Sequence, residues 1–248
     1  MSIFRFAFRK IFPVTIVSLF VGLGTGLAYA DPQYAVSGSA YRLGKNELLY
    51  REFYTPLDAN NEVQVSYTRP DGEVFATKTL RYTANPTQPE FDYHDLRDNE
   101  RLAGRFSAGR LILTYDQEGY KQEKELVETL GLVTDNGFDV FIQQHWDQLV
   151  AGEKIRFTYA LPYQLNVANL QVRQITADKS PLFDADSPAT WRYFIIERAN
   201  RFASIFKAPI HLAYESEGKY LMRYAGHSPL DDDNKGTWEV RVDYEYWQ

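Results

Sequence analysis

The stretch FDVFIQQHWDQLVAGEKIRF, beginning at Phe138, carries the residue types best suited to moving a proton: His145, with Asp147 two positions on. An imidazole steered by a carboxylate is a general base, provided both side chains reach the same point. Phe138, Phe141, Ile142, Trp146 and Leu149 recur at helical spacing, which predicts an amphipathic helix over 138–150. At about 100° per residue from Phe138, His145 falls at about 340°, inside the apolar stripe. Asp147 falls at about 180°, on the far face between Gln143 and Gln144. Residues two apart on a helix do not face each other, so the pair is not a dyad. The expectation is a histidine among Phe141, Ile142 and Trp146, either as a packed neutral imidazole or as the polar group of an apolar ligand cavity. Those four residues are the candidate ligand-binding set. Asn136 is placed to cap this helix and Gly152 to end it.

Other chemistries find little support. The remaining histidines, His94, His211 and His227, show no metal-binding spacing; His211 and Glu215 are four apart in a predicted strand, where they merely share a face. There is no cysteine, which removes disulfides, thiolate sites, a cysteine nucleophile and a lipid-modified cysteine. Asp231-Asp232-Asp233-Asn234-Lys235-Gly236 has acids where a calcium loop needs them and a glycine at its sixth position. Lys235 and Val242 stand where oxygen ligands belong, so a solvated hairpin turn is the expectation. No nucleophile elbow and no phosphate-binding loop occurs, and GLGTG at 22–26 lies in the leader described next. Asp92 and Asp95 read as ordinary acids. No catalytic residue, metal or cofactor is expected; an enzyme would need a site assembled from distant strands.

The first thirty residues predict a cleaved signal peptide. Arg5, Arg9 and Lys10 precede an apolar run from Ile11 to Leu27, and Ala28-Tyr29-Ala30 offers small residues at the two positions a signal peptidase reads. Asp31 to Gln248 is then one domain, and no later run is long and apolar enough for a membrane-spanning helix. The formal net charge of −6 becomes more negative once the leader is gone, which argues against nucleic acid and anionic membrane as partners. The predicted location is the periplasm.

The rest reads as strands. In EVQVSYT, Val63, Val65 and Tyr67 share one face, and Pro70-Asp71-Gly72 turns the chain into EVFATKTLRY, giving a hairpin over 62–82. FDYHDL, ERLAGRF and RLILTYD are further strands, and ANPTQPE at 84–90 is a loop. KQEKELVETLGLV suits an exposed helix or a charged edge strand. Two strands bent at Pro162 follow the helix, and 177–188 reads as loop. TWRYFIIER is strand or helix, and Ala199, Phe202, Ala203 and Phe206 predict a short helix near 199–206. A hairpin around Ser216-Glu217-Gly218 precedes TWEVRVDYEYW, whose Trp238, Val240, Val242, Tyr244 and Tyr246 share a face. The class is mainly β: an antiparallel barrel, half-barrel or sandwich with an amphipathic helix at 138–150.

This order of leader, strands, mid-chain helix and closing hairpins resembles the half-barrel folds of periplasmic lipoprotein carriers and of exported β-rich families like them. The resemblance implies a concave sheet that shelters an apolar ligand. The predicted function is therefore an exported, non-enzymatic protein that binds a lipid or other apolar molecule, or an envelope protein. The 18 tyrosines, 16 phenylalanines and 4 tryptophans would also suit the aromatic girdles of an integral outer-membrane barrel, the alternative reading.

Overall fold

The computed structural model describes residues 34–199, 208–233 and 236–247. Its strands, in chain order, are β1 (Val36–Arg42), β2 (Leu48–Tyr54), β3 (Glu62–Thr68), β4 (Val74–Arg81), β5 (Glu90–Asp95), β6 (Glu100–Ser107), β7 (Arg110–Gln117) and β8 (Tyr120–Val127). After β9 (Leu132–Val133) come two short helices, α1 (Gly137–Gln144) and α2 (Trp146–Val150). Then follow β10 (Lys154–Leu161), β11 (Asn166–Ile175), β12 (Trp191–Arg198), β13 (Ile210–Glu215), β14 (Leu221–Asp231) and β15 (Thr237–Tyr246).

All fifteen strands belong to one sheet, ordered β8 through β1, then β15 through β9. The chain therefore builds two meanders, and the β1–β15 ladder, Val36 opposite Tyr246 to Arg42 opposite Val240, zips them together. A single sheet excludes the sandwich and leaves the barrel-like arrangement. Every pairing is antiparallel except β9 with β10. Tight hairpins need residues that tolerate positive φ. Ala108-Gly109 (φ 49° and 71°) and Glu118-Gly119 (φ 51° and 84°) supply the two-residue turns between β6, β7 and β8.

Alternation decides which side of the sheet is inside. Ala40, Tyr50, Val63, Val65, Tyr67, Leu80, Phe91, Tyr93, Leu102, Leu111, Leu113, Val240 and Val242 form one inner cluster across β1–β7 and β15. Leu132, Ala160, Leu165 and Leu230 join it, because the sheet curls until the β10–β11 bend meets β6 and β7. At that bend Pro162–Gln164 make one 3₁₀ turn, as the proline suggested, and Tyr163 donates its hydroxyl to the Pro229 carbonyl at 3.2 Å. A second inner cluster covers β10–β14: Phe157, Leu170, Val172, Phe194, Leu212, Tyr214 and Leu221, packed against Phe141, Ile142, Trp146 and Leu149 of the helices.

β12 explains why TWRYFIIER was ambiguous. Phe194 and Ile196 face the helices, while Tyr193 and Ile195 are covered from outside by Leu182 of the 176–190 connection. A strand buried on both faces shows no alternation. KQEKELV is strand, not helix, and stands at the end of the sheet. The predicted helix over 138–150 is present but broken into α1 and α2 at His145 (φ −101°, ψ 14°). The short helix expected near 199–206 lies, from residue 200, outside the described residues.

Candidate functional site

The turn before α1 is where the structure concentrates buried polar chemistry. Thr134, fully buried, donates its hydroxyl to the Pro89 carbonyl at 2.7 Å and its N–H to the Thr87 carbonyl at 3.1 Å. Asp135 adopts φ 41°, a left-handed conformation uncommon outside glycine. It is held there from several sides. Lys78 Nζ donates to its Oδ1 at 2.7 Å, the Asn136 N–H donates to the same oxygen at 2.8 Å, and Tyr159 Oη donates to its carbonyl at 3.3 Å. Asn136 occupies the N-cap position, as expected, but makes no capping bond; its Oδ1 accepts from Lys78 at 3.3 Å instead. Gly137 is required because a Cβ there would collide with the Thr87 carbonyl.

Lys78 comes from the middle of β4, on the inner face between Ala76 and Leu80, and is 5 % exposed. Burial alone would push its ammonium toward neutrality. The charge of Asp135, its hydrogen bond and the nearby Glu52 outweigh that and hold the ammonium above its ordinary value. Its Nζ also lies 5.9 Å from the centroid of the Tyr67 ring. Glu52, on the inner face of β2, is 4 % exposed, and its Oε1 has no hydrogen-bond partner. Burial pushes this carboxyl up, against the stabilising pull of the Tyr244 hydroxyl and Lys78. Gly38 makes room for it: a Cβ there would stand 2.8 Å from Glu52 Cγ and 2.9 Å from Tyr244 Cε1. Burial also raises Tyr54, Tyr67 and Tyr244 well above the usual phenol range, so they remain protonated donors.

One helical turn further on, Asp139 accepts from Tyr214 Oη at 2.7 Å and from Gln143 Nε2 at 2.9 Å. Burial pushes its carboxyl up to about 6, the two donors opposing the shift. Lys78 neutralises Asp135 and Tyr214 holds Asp139, while Glu52 keeps one carboxylate oxygen without a hydrogen-bond partner.

The sequence-predicted set comes together as the helical spacing required. Phe141, Ile142 and Trp146 are buried. The Phe141 ring lies 4.9 Å from Phe157, and Trp146 sits edge-on to Phe194 at 5.3 Å and to Tyr214 at 5.8 Å. His145 is partly buried; its Nδ1–H donates to the Phe141 carbonyl at 2.9 Å, and its ring lies 4.2 Å from that of Phe141. Asp147 is exposed on the opposite side. Side chains of β10–β14 pack around Phe141, Ile142 and Trp146. The other histidines stand elsewhere on the sheet: His94 meets Asn99 at 2.8 Å, His227 meets Glu239 at 3.0 Å, and His211 lies on β13 opposite Ile195 and Ala225. Among the described residues no group of three potential ligands could hold a metal. In the acidic hairpin, Asp233 is paired with Arg69 and Arg97, both at 3.0 Å.

Glu52, Lys78, Asp135 and Asp139 were not singled out from sequence. A signal existed for two of them. Lys78 in ATKTL and Glu52 in YREFY occupy the apolar register of alternating strands, where a charge must find a partner.

No family model matches the sequence, and no curated protein matches it at a significant level. Among solved structures, the crystal structure of a beta-barrel-like protein of Domain of Unknown Function DUF1849 from Brucella abortus is similar, with a TM-score of 0.52 over 87 % of this chain and 99 % of that one. The two sequences are 9 % identical, so the likeness is one of fold alone, a β-barrel-like architecture.

Proposed function

We propose that the protein is exported to the periplasm by cleavage after Ala30 and acts there as a non-enzymatic binding module for another envelope protein. The observation that carries this reading is the filled interior. The inner face is occupied by the protein's own aliphatic and aromatic side chains and by α1–α2, with Lys78 paired to Asp135 and Tyr214 bonded to Asp139. Binding then falls to the outer surface. Export rests on the basic start, the apolar run and the Ala28-Tyr29-Ala30 site. Apolar residues inside and charges such as Arg51, Arg105 and Glu123 outside are the reverse of a lipid-embedded barrel.

The test is native mass spectrometry of protein recovered from the periplasm of producing cells, followed by organic extraction. The expected species begins at Asp31 and carries no lipid. A stoichiometric lipid would replace the partner-binding reading with that of an apolar carrier, and an intact Met1 would defeat the export reading.

A further inference from the structure

The two ends of the sheet differ. β9 is two residues long and pairs with Thr158 and Tyr159 of β10. β8 is eight residues long and, among the described residues, is paired with β7 alone. All of its side chains except Leu126 are exposed. The three most exposed large apolar side chains of the described residues are Tyr120 (66 %) and Val127 (67 %) on this strand and Leu130 (104 %) just after it.

The hairpin fixes which backbone groups are free. Glu118-Gly119 is a two-residue turn with positive φ at both positions, so Gln117 and Tyr120 form a hydrogen-bonded pair. Bonded and non-bonded pairs alternate in an antiparallel ladder. Tyr120, Gln122, Lys124 and Leu126 therefore spend their N–H and C=O groups on β7. Those of Lys121, Glu123 and Glu125 point outward, with no strand partner among the described residues.

We propose that this edge pairs, antiparallel, with β8 of a second copy of the chain, about a two-fold axis through Gln122. The charges select both the occupant and the register. A two-fold axis perpendicular to the sheet keeps each face on its own side, so only residues of equal parity stand opposite one another. Centring on Lys121, Glu123, Lys124 or Glu125 sets that charge against itself. Centring on Gln122 sets Lys121 against Glu123 and Tyr120 against Lys124, each twice, with no like charges opposed. Lysine and glutamate on an edge deter unrelated strands, which bring no matching charges. A second copy brings them in the right order. The ladder is short, and its area falls below the roughly 1,200–2,000 Å² of stable interfaces, so the dimer is weak and concentration-dependent.

Sedimentation velocity of the purified protein at low ionic strength, over a wide concentration range, tests this. The expected result is a reversible monomer–dimer equilibrium. Lys121→Glu should weaken it at least about tenfold, through two lost ion pairs turned repulsive. Adding Glu123→Lys to that variant should restore it. Glu123→Pro removes an outward N–H without touching the β7 ladder and should leave a monomer with an unchanged circular-dichroism spectrum. A wild-type monomer at every concentration would overturn the proposal. So would a dimer indifferent to Glu123→Pro, or a charge-reversed pair that fails to recover dimerisation.

Discussion

Two anchorages lie within a few residues of each other on the helical segment, and they work by opposite means. The stripe Phe141, Ile142, Trp146 and Leu149 is held by apolar packing against β10–β14. The turn Thr134–Gly137 is held by a buried ion pair with Lys78 of β4 and by hydrogen bonds from Thr134 to the Thr87 and Pro89 carbonyls in the loop before β5. Apolar contacts tolerate small displacements and lose energy in proportion to the space left empty. A buried ion pair contributes little net energy when complete, yet costs a great deal when half of it is removed. The stripe thus supplies affinity between helix and sheet, while the ion pair sets where along the sheet the helix begins.

The largest effect is expected from the stripe. Trp146→Ala removes a large side chain buried between Phe194 and Tyr214 and should cost about 3–5 kcal/mol in urea unfolding. A smaller loss would mean that the sheet closes over the gap.

Lys78→Met tests the ionic anchorage. It leaves Asp135 without its cation in a buried site and should cost about 3 kcal/mol. Adding Asp135→Asn should recover part of that loss, since no orphaned charge then remains. Equal destabilisation by the single and double variants would show that the lysine acts by packing alone.

Asp139 gives a pH-dependent test. Its folded-state value of about 6 lies above the ordinary 3.8, so the folded state holds the proton more tightly than the unfolded chain. The resulting stabilisation is complete below the ordinary value and is lost as pH rises through 6. Asp139→Asn should remove this slope and raise stability at pH 7 by about 1–3 kcal/mol. Denaturation curves collected from pH 4 to 8 would show the slope in the wild type and its absence in the variant.

The smallest effect belongs to Asp147. It is exposed, and Asp147→Ala should stay within about 0.5 kcal/mol. A loss comparable with that of Trp146→Ala would mean that the face carrying Asp147, and not the stripe, packs on the sheet.

The readable parts of this molecule were those governed by local rules. EVQVSYT and TWEVRVDYEYW alternate because one face is buried, and both are strands with the expected faces inward. The phase of the helical stripe followed from spacing alone, as did the turns at Gly72 and Gly152, where φ is 95° and 93°. The break at His145 did not follow, because nothing in FIQQHWDQ disfavours continuous helix strongly enough to mark it. TWRYFIIER was unreadable for a different reason: a second layer on its outer face removed the alternation.

Residue order along the chain was enough to specify the class of fold, the inward face of most strands and the separation of His145 from Asp147, because each depends on neighbours a few residues away. The closing of the two meanders through β1 and β15 depends on Val36 meeting Tyr246, from opposite ends of the chain. The meeting of Lys78 with Asp135, 57 residues apart in sequence, depends on the same closure. Such contacts come from the curvature of the whole sheet, and a single sequence carries no local trace of which distant charge will lie across the interior.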